Sequence, residues 1–199
     1  MAAAVPIVSL THSPAPGKRV FVERGRKMDD VATQSVYLAN AIPEHLLGEE
    51  DIHISKGTFP EPPPWKCLKT EEFLTARRNL VAGCNYIKRQ HGKELEEMCA
   101  KLDISDEQLY GNFRTLLSTV WTEPMNWGRL VSLFVVTSVL SARLYREGQQ
   151  SKIMSVLGWF GTFLKDHASP WIRERGGWVS GSLPVRYVRA IPAMALESG

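Results

Sequence analysis

The sequence has little of what builds metal sites, disulfide scaffolds or active sites. Its 199 residues include three cysteines, Cys67, Cys84 and Cys99, with no C-x-x-C pair. So sparse and odd a set points to reduced thiols in a cytosolic setting rather than to a disulfide framework. The five histidines are scattered, without H-E-x-x-H or a Cys/His cluster, so no metal or cofactor is expected. There is no Gly-rich phosphate loop. Asp103 and Asp106 lie near each other without a nucleophile, histidine or further carboxylate to work with, and the chain is not read as an enzyme. Charge of one sign is lacking too: the net charge is +3 with one basic cluster, residues 17–27, too little to argue for nucleic acid. The N-terminal residues lack the charged start and long apolar core of a secretory signal. Strand-like alternation never persists.

What is present is helical periodicity around one apolar hairpin. With 44% hydrophobic and 23% charged residues, the composition suits a globular protein of one domain. Residues 130–144 form the most apolar run, uncharged from Leu130 to Ala142 and interrupted only by Ser132, Thr137, Ser138 and Ser141. A helix apolar on every face is a membrane span or the centre of a bundle. At about 15 residues the run falls short of the roughly 20 that cross a bilayer, so a core helix is predicted. After a turn at 147–150, Ile153, Val156, Leu157, Phe160, Phe163 and Leu164 form the stripe of a second, antiparallel helix.

The flanking sequence predicts further helices. One runs from Asp29-Asp30 to Ile42, stopped by Pro43. Thr70 caps another that carries Phe73, Leu80, Cys84 and Ile87, breaks near Gly92, and is followed by a piece with Leu95, Met98 and Leu102. Ser105 and Gln108 form a capping box for a helix bearing Leu109, Phe113, Leu116, Leu117 and Val120. Ser169-Pro170 caps a short helix that ends at Gly176-Gly177. The expected architecture is all-α: a bundle of seven to eight helices around the central apolar hairpin. A flexible arm is expected at 1–27, a helical domain at 28–182 with a long loop at 43–69, and a tail at 183–199 that is no membrane anchor as it stands.

Two motifs make the reading specific. Asn126-Trp127-Gly128-Arg129, opening the buried helix, resembles the first homology motif of the Bcl-2 family, and Pro170-Trp171-Ile172-Arg173-Glu174-Arg175-Gly176-Gly177-Trp178 resembles its second. Their separation, one apolar helix and then one amphipathic helix, is also similar to the family's. The resemblance covers residues 102–178 and, more loosely, 73–102; it thins over 29–42, where a fourth motif would lie. It implies a Bcl-2-like bundle and a regulator of apoptosis whose surface groove accepts an amphipathic BH3 helix, the helix-in-groove mode this family is known for. By resemblance, Arg129 pairs with the ligand's aspartate, Asn126 caps the helix beside it, and Gly128 allows close backbone approach. Ile87, Leu95, Met98, Leu116, Val120 and Val136 are the expected groove lining. Trp127, Trp171 and Trp178 are read as packing residues.

The family's third motif, Leu-x-x-x-Gly-Asp, is altered. Leu80-Val81-Ala82-Gly83-Cys84-Asn85 places cysteine at the glycine and asparagine at the aspartate. Asn85 offers no charge to another molecule's arginine. The expected role is therefore a pro-survival receptor that sequesters BH3 helices of pro-apoptotic partners, in the cytoplasm or at the mitochondrial outer membrane. The alternative is a pore-forming executioner that permeabilises that membrane.

Overall fold

The computed structural model describes residues 30–52, 66–122 and 124–180. The predicted arm, the middle of the long loop and the tail lie outside them. All regular structure among the described residues is helical: α1 (Asp30–Gly48), a 3-10 turn (Lys66–Leu68), α2 (Glu71–Ala100), α3 (Leu109–Val120), α4 (Trp127–Arg146), α5 (Gln150–Phe163), a π turn (Leu164–Ala168), α6 (Ser169–Glu174) and α7 (Gly177–Ser180).

The apolar run sits where its composition sends it. α4 packs against α1, α2, α3 and α5. From Leu130 to Leu144 only Ser132 and Arg143 escape full burial. The hydroxyls inside this helix cost little, because each donates to a carbonyl one turn back: Thr137 Oγ1 to Leu133 O (2.7 Å), Ser138 Oγ to Phe134 O (2.7 Å), and Ser141 Oγ to Thr137 O (2.8 Å). The helix is longer than the apolar run alone. At 20 residues with a mean hydropathy of 1.3 it is long and apolar enough to cross a membrane, but 78% of that window is buried inside the protein.

Several boundaries differ from expectation, each for a physical reason. Pro43 does not stop α1. The helix absorbs the missing N–H and continues to Gly48, since the next turn buries Leu46 and Leu47 in the protein interior. The expected long loop therefore begins six residues later. The break expected near Gly92 is present one residue earlier: α2 is two helical pieces joined at His91, whose backbone is non-helical (φ −130°, ψ 16°). The capping box does not form. Asp103 Oδ1 takes the backbone N–H of Ser105 (2.8 Å), the turn closes there, and α3 starts only at Leu109 with the Ser105 hydroxyl unused. Ser169 is not a cap either. The chain runs through the π turn into α6, and Ser169 Oγ turns inward, 2.9 Å from Ser35 Oγ on α1. Gly176 (φ +83°) and Gly177 (φ +81°) do end α6, in the left-handed conformation that glycine adopts freely.

Two polar clusters tie the bundle together. The carboxylates after α1 clamp α2 and α4: Glu50 pairs with Lys88 and with Arg146 (2.5 Å), and Glu49 Oε1 accepts from Asn85 Nδ2 (3.0 Å). Three residues earlier on α4, the Arg143 guanidinium donates to Cys99 O (2.5 Å) and Leu102 O (2.8 Å) at the carbonyl-rich end of α2. A cation there meets unpaired carbonyls and the negative end of the helix dipole.

Candidate binding groove

The first turn of α4 is organised by Asn126. Its backbone is extended (φ −145°, ψ 168°), and its Oδ1 accepts the N–H of Arg129 at 2.9 Å, the geometry of a helix N-cap. The capping role expected of Asn126 is thus present. Gly128 is buried and its carbonyl accepts from Ser132 Oγ (3.1 Å). Arg129 is half-buried and folds back on the preceding loop, where Nη1 donates to Thr122 O (2.7 Å) and contacts Thr122 Oγ1. Its Nε and Nη2 edge makes no hydrogen bond to any described residue.

Trp127, between the cap and the arginine, points to the other motif. Its ring lies 5.2 Å from that of Trp171 and 6.0 Å from that of Trp178. The aromatic chain continues from Trp171 to Trp121 (6.3 Å) and from Trp178 to Phe134 (6.1 Å). Two motifs some forty residues apart in sequence therefore meet edge to face, which such rings favour. The packing role expected of these tryptophans holds. Trp178 also gives its indole N–H to Ser35 Oγ at 3.0 Å, in the buried knot that includes Ser169.

The expected groove residues fall on three elements: Ile87, Leu95 and Met98 on α2, Leu116 and Val120 on α3, and Val136 on α4. All belong to one apolar cluster, with Met98 and Val120 half-buried at its edge. α2 and α3 both pack on α4 while their backbones stay apart. Arg129 and Val136 are seven residues apart on α4, hence on one helical face and about 10 Å apart along it. The strip is shut: Ile87 and Val136 are each 1% exposed. A separate shallow cavity of about 280 Å³, lined by Glu71, Glu72, Thr75, Ala76, Asn79 and Val179, includes none of these residues.

The thiols are chemically quiet. Burial pushes the Cys84 thiol far above its ordinary range, and it pushes Cys99 from 9.0 up to about 12 against the opposing pull of Arg143. Cys67 is half-buried and is raised by burial and by Asp30 beside it. The sequence reading missed Thr122, Glu49 and Ser35. Thr122 sits in an unpatterned loop, and the partners of the other two are 36 and 143 residues away.

The family model described as "Apoptosis regulator proteins, Bcl-2 family" matches residues 80–178, from the middle of α2 to α7. Over those residues the chain is similar to the Bcl-2 family. It is 28% identical to pig Bcl-2-like protein 1 over 106 residues, 49% of this chain and 46% of that protein. The chain thus spans about half the length of that relative, whereas it aligns with 80% of the human Bcl-2 homologous antagonist/killer, at 27% identity over 169 residues. Among solved structures it is similar to chicken BOK (TM-score 0.63, 18% identity, covering 78% of this chain and 96% of that one). It is also similar to Trichoplax adhaerens trBcl-2L2 in complex with trBak BH3 (TM-score 0.63, 21% identity, covering 76% and 95%). At those identities the likeness establishes the Bcl-2 fold, which places α1, outside the matched family region, against α4 and α5.

Proposed function

We propose that the chain is a pro-survival Bcl-2 protein that sequesters the BH3 helices of pro-apoptotic partners between α2 and α3. The observation that carries this reading is the state of Arg129. Its guanidinium is anchored on one nitrogen, has no partner for its Nε–Nη2 edge among the described residues, and shares an α4 face with the apolar strip. A BH3 helix offers one carboxylate and one apolar face. The carboxylate takes two parallel hydrogen bonds from a guanidinium. The apolar face replaces the contacts that now cover Ile87, Leu95, Leu116 and Val136, with Met98 and Val120 at the edge. Burial at about 25 cal/mol per Å² supplies most of the affinity before ordering costs. Because Ile87 and Val136 are covered in the free chain, binding requires the side chains over them to move.

Asn85 favours a receptor over a donor. Its amide is engaged by Glu49, and it has no charge to offer another molecule. Binding to a panel of BH3 peptides, together with blockade of a pore former on liposomes, tests the proposal; a panel without a binder overturns it. The similar fold of trBcl-2L2, solved bound to trBak BH3, supports the choice of ligand class. The proposed site of action is the cytoplasm or the mitochondrial outer membrane.

A pore-forming executioner is the second reading. It is favoured by α4, long and apolar enough to span a membrane, and by a match to the antagonist/killer protein over 82% of the chain. Permeabilisation of liposomes by this chain after addition of an activating peptide would select it.

A further inference from the structure

Thr122 is engaged with the guanidinium of Arg129 through two different oxygens, and this fixes which edge of the arginine a ligand meets. A guanidinium carries five N–H donors and presents a carboxylate with two bidentate edges, end-on through Nη1 and Nη2 or side-on through Nε and Nη2. Thr122 O accepts from Nη1 at 2.7 Å and Thr122 Oγ1 contacts the same nitrogen, so Nη1 is held against the loop. The Nε and Nη2 protons have no acceptor among the described residues. The side-on edge is therefore the one without a partner among the described residues. Asn126 fixes the other end of the same residue by accepting its backbone N–H at 2.9 Å. The side chain is thus held at its root and at one fingertip.

We infer that Thr122 is a positioning residue for ligand recognition: by holding Nη1 it orients the side-on edge of Arg129 toward the carboxylate of an incoming amphipathic helix. This rests on the receptor reading given above and adds a residue and a bonding geometry to it. A group acting only through Arg129 affects ligands that use Arg129 and spares those that do not. Thr122 is exposed, so its replacement leaves the core intact.

The test is a double-mutant cycle with two synthetic BH3 peptides, one containing Leu-x-x-x-Gly-Asp and one with its aspartate replaced by alanine, titrated against wild type, Thr122→Val and Thr122→Ser. Thr122→Val keeps the shape and removes the hydroxyl. It is expected to weaken the aspartate peptide about threefold to tenfold, the scale of one charge-assisted hydrogen bond, and the alanine peptide less than about twofold. Thr122→Ser restores wild-type binding. Equal losses with both peptides, or none with either, overturn the inference while leaving the receptor reading standing. A wild-type chain that does not distinguish the two peptides overturns both. In the free protein, nitrogen NMR of the Arg129 side chain gives a readout independent of ligand: slowed rotation of the Nη1 group in wild type and faster rotation in Thr122→Val, whereas identical rotation in the two contradicts the clamp.

Discussion

Asn85 Nδ2 donates to Glu49 Oε1 at 3.0 Å, joining the altered third motif on α2 to the end of α1. An asparagine can make this bond and an aspartate cannot. Asn85→Asp sets two carboxylates against each other, beside His45 Nε2 at 3.2 Å from Glu49 Oε1. Both sides of the contact are partly solvated, so the expected loss is modest, roughly 0.5–1 kcal/mol at neutral pH. Thermal melts of the variant at pH 7 check it; a variant as stable as wild type contradicts it.

The buried knot of Ser35, Ser169 and Trp178 links α1 to the C-terminal helices. Ser35→Ala removes the acceptor of the Trp178 indole N–H and strands that donor in the core. The expected cost is about 1–3 kcal/mol, the penalty for an unpaired buried polar group. Urea unfolding measures it. A midpoint unchanged within error shows that the knot adds nothing.

Arg143 closes the end of α2 through Cys99 O and Leu102 O and pairs with Glu147 (2.6 Å). Arg143→Met keeps most of the stem and loses the caps. Hydrogen exchange is expected to accelerate in the last turn of α2 ahead of the rest of the bundle, with a global loss of about 1–3 kcal/mol. Arg143→Lys recovers only part of this, because one ammonium lacks the fork that reaches three acceptors. Full recovery by lysine refutes the geometric argument.

These contacts mark how much of the fold and site the residues announce. The central hairpin, its stripe and the glycine stop at Gly176-Gly177 are local patterns, and the all-α bundle follows from them. The Asn126 cap was legible for the same reason, since a cap is satisfied within one turn. Pro43 and the Ser105–Gln108 box misled because local preference lost to tertiary context, the burial of Leu46 and Leu47 in one case and the carboxylate of Asp103 in the other. Ser169-Pro170 looks like a cap in sequence, and only its partner 134 residues away turns it into a core hydroxyl. The hold of Thr122 on Arg129 spans seven residues of loop, where no periodicity exists to read.

The pH dependence of stability follows from the buried thiols. The folded-state pKa of Cys99 is raised from 9.0 to about 12, so above pH 9 the unfolded chain releases a proton that the folded chain keeps. Stability therefore falls as pH rises from 9 toward 12, with a slope of up to about 1.4 kcal/mol per pH unit for each such thiol. Cys84, raised further, adds to the slope in the same direction. Replacing Cys99 with alanine is expected to flatten the decline measured by urea unfolding between pH 8 and about pH 10.5. A decline of unchanged slope contradicts the assignment.

The role of Arg129 is the centre of the account. The most direct measurement is a calorimetric titration of the chain and of Arg129→Ala with BH3 peptides containing Leu-x-x-x-Gly-Asp. The account predicts that wild type binds at about micromolar affinity or tighter, and that Arg129→Ala loses more than about 1 kcal/mol without loss of fold. Absence of binding across a broad panel, or an Arg129→Ala variant that binds as well as wild type, contradicts it.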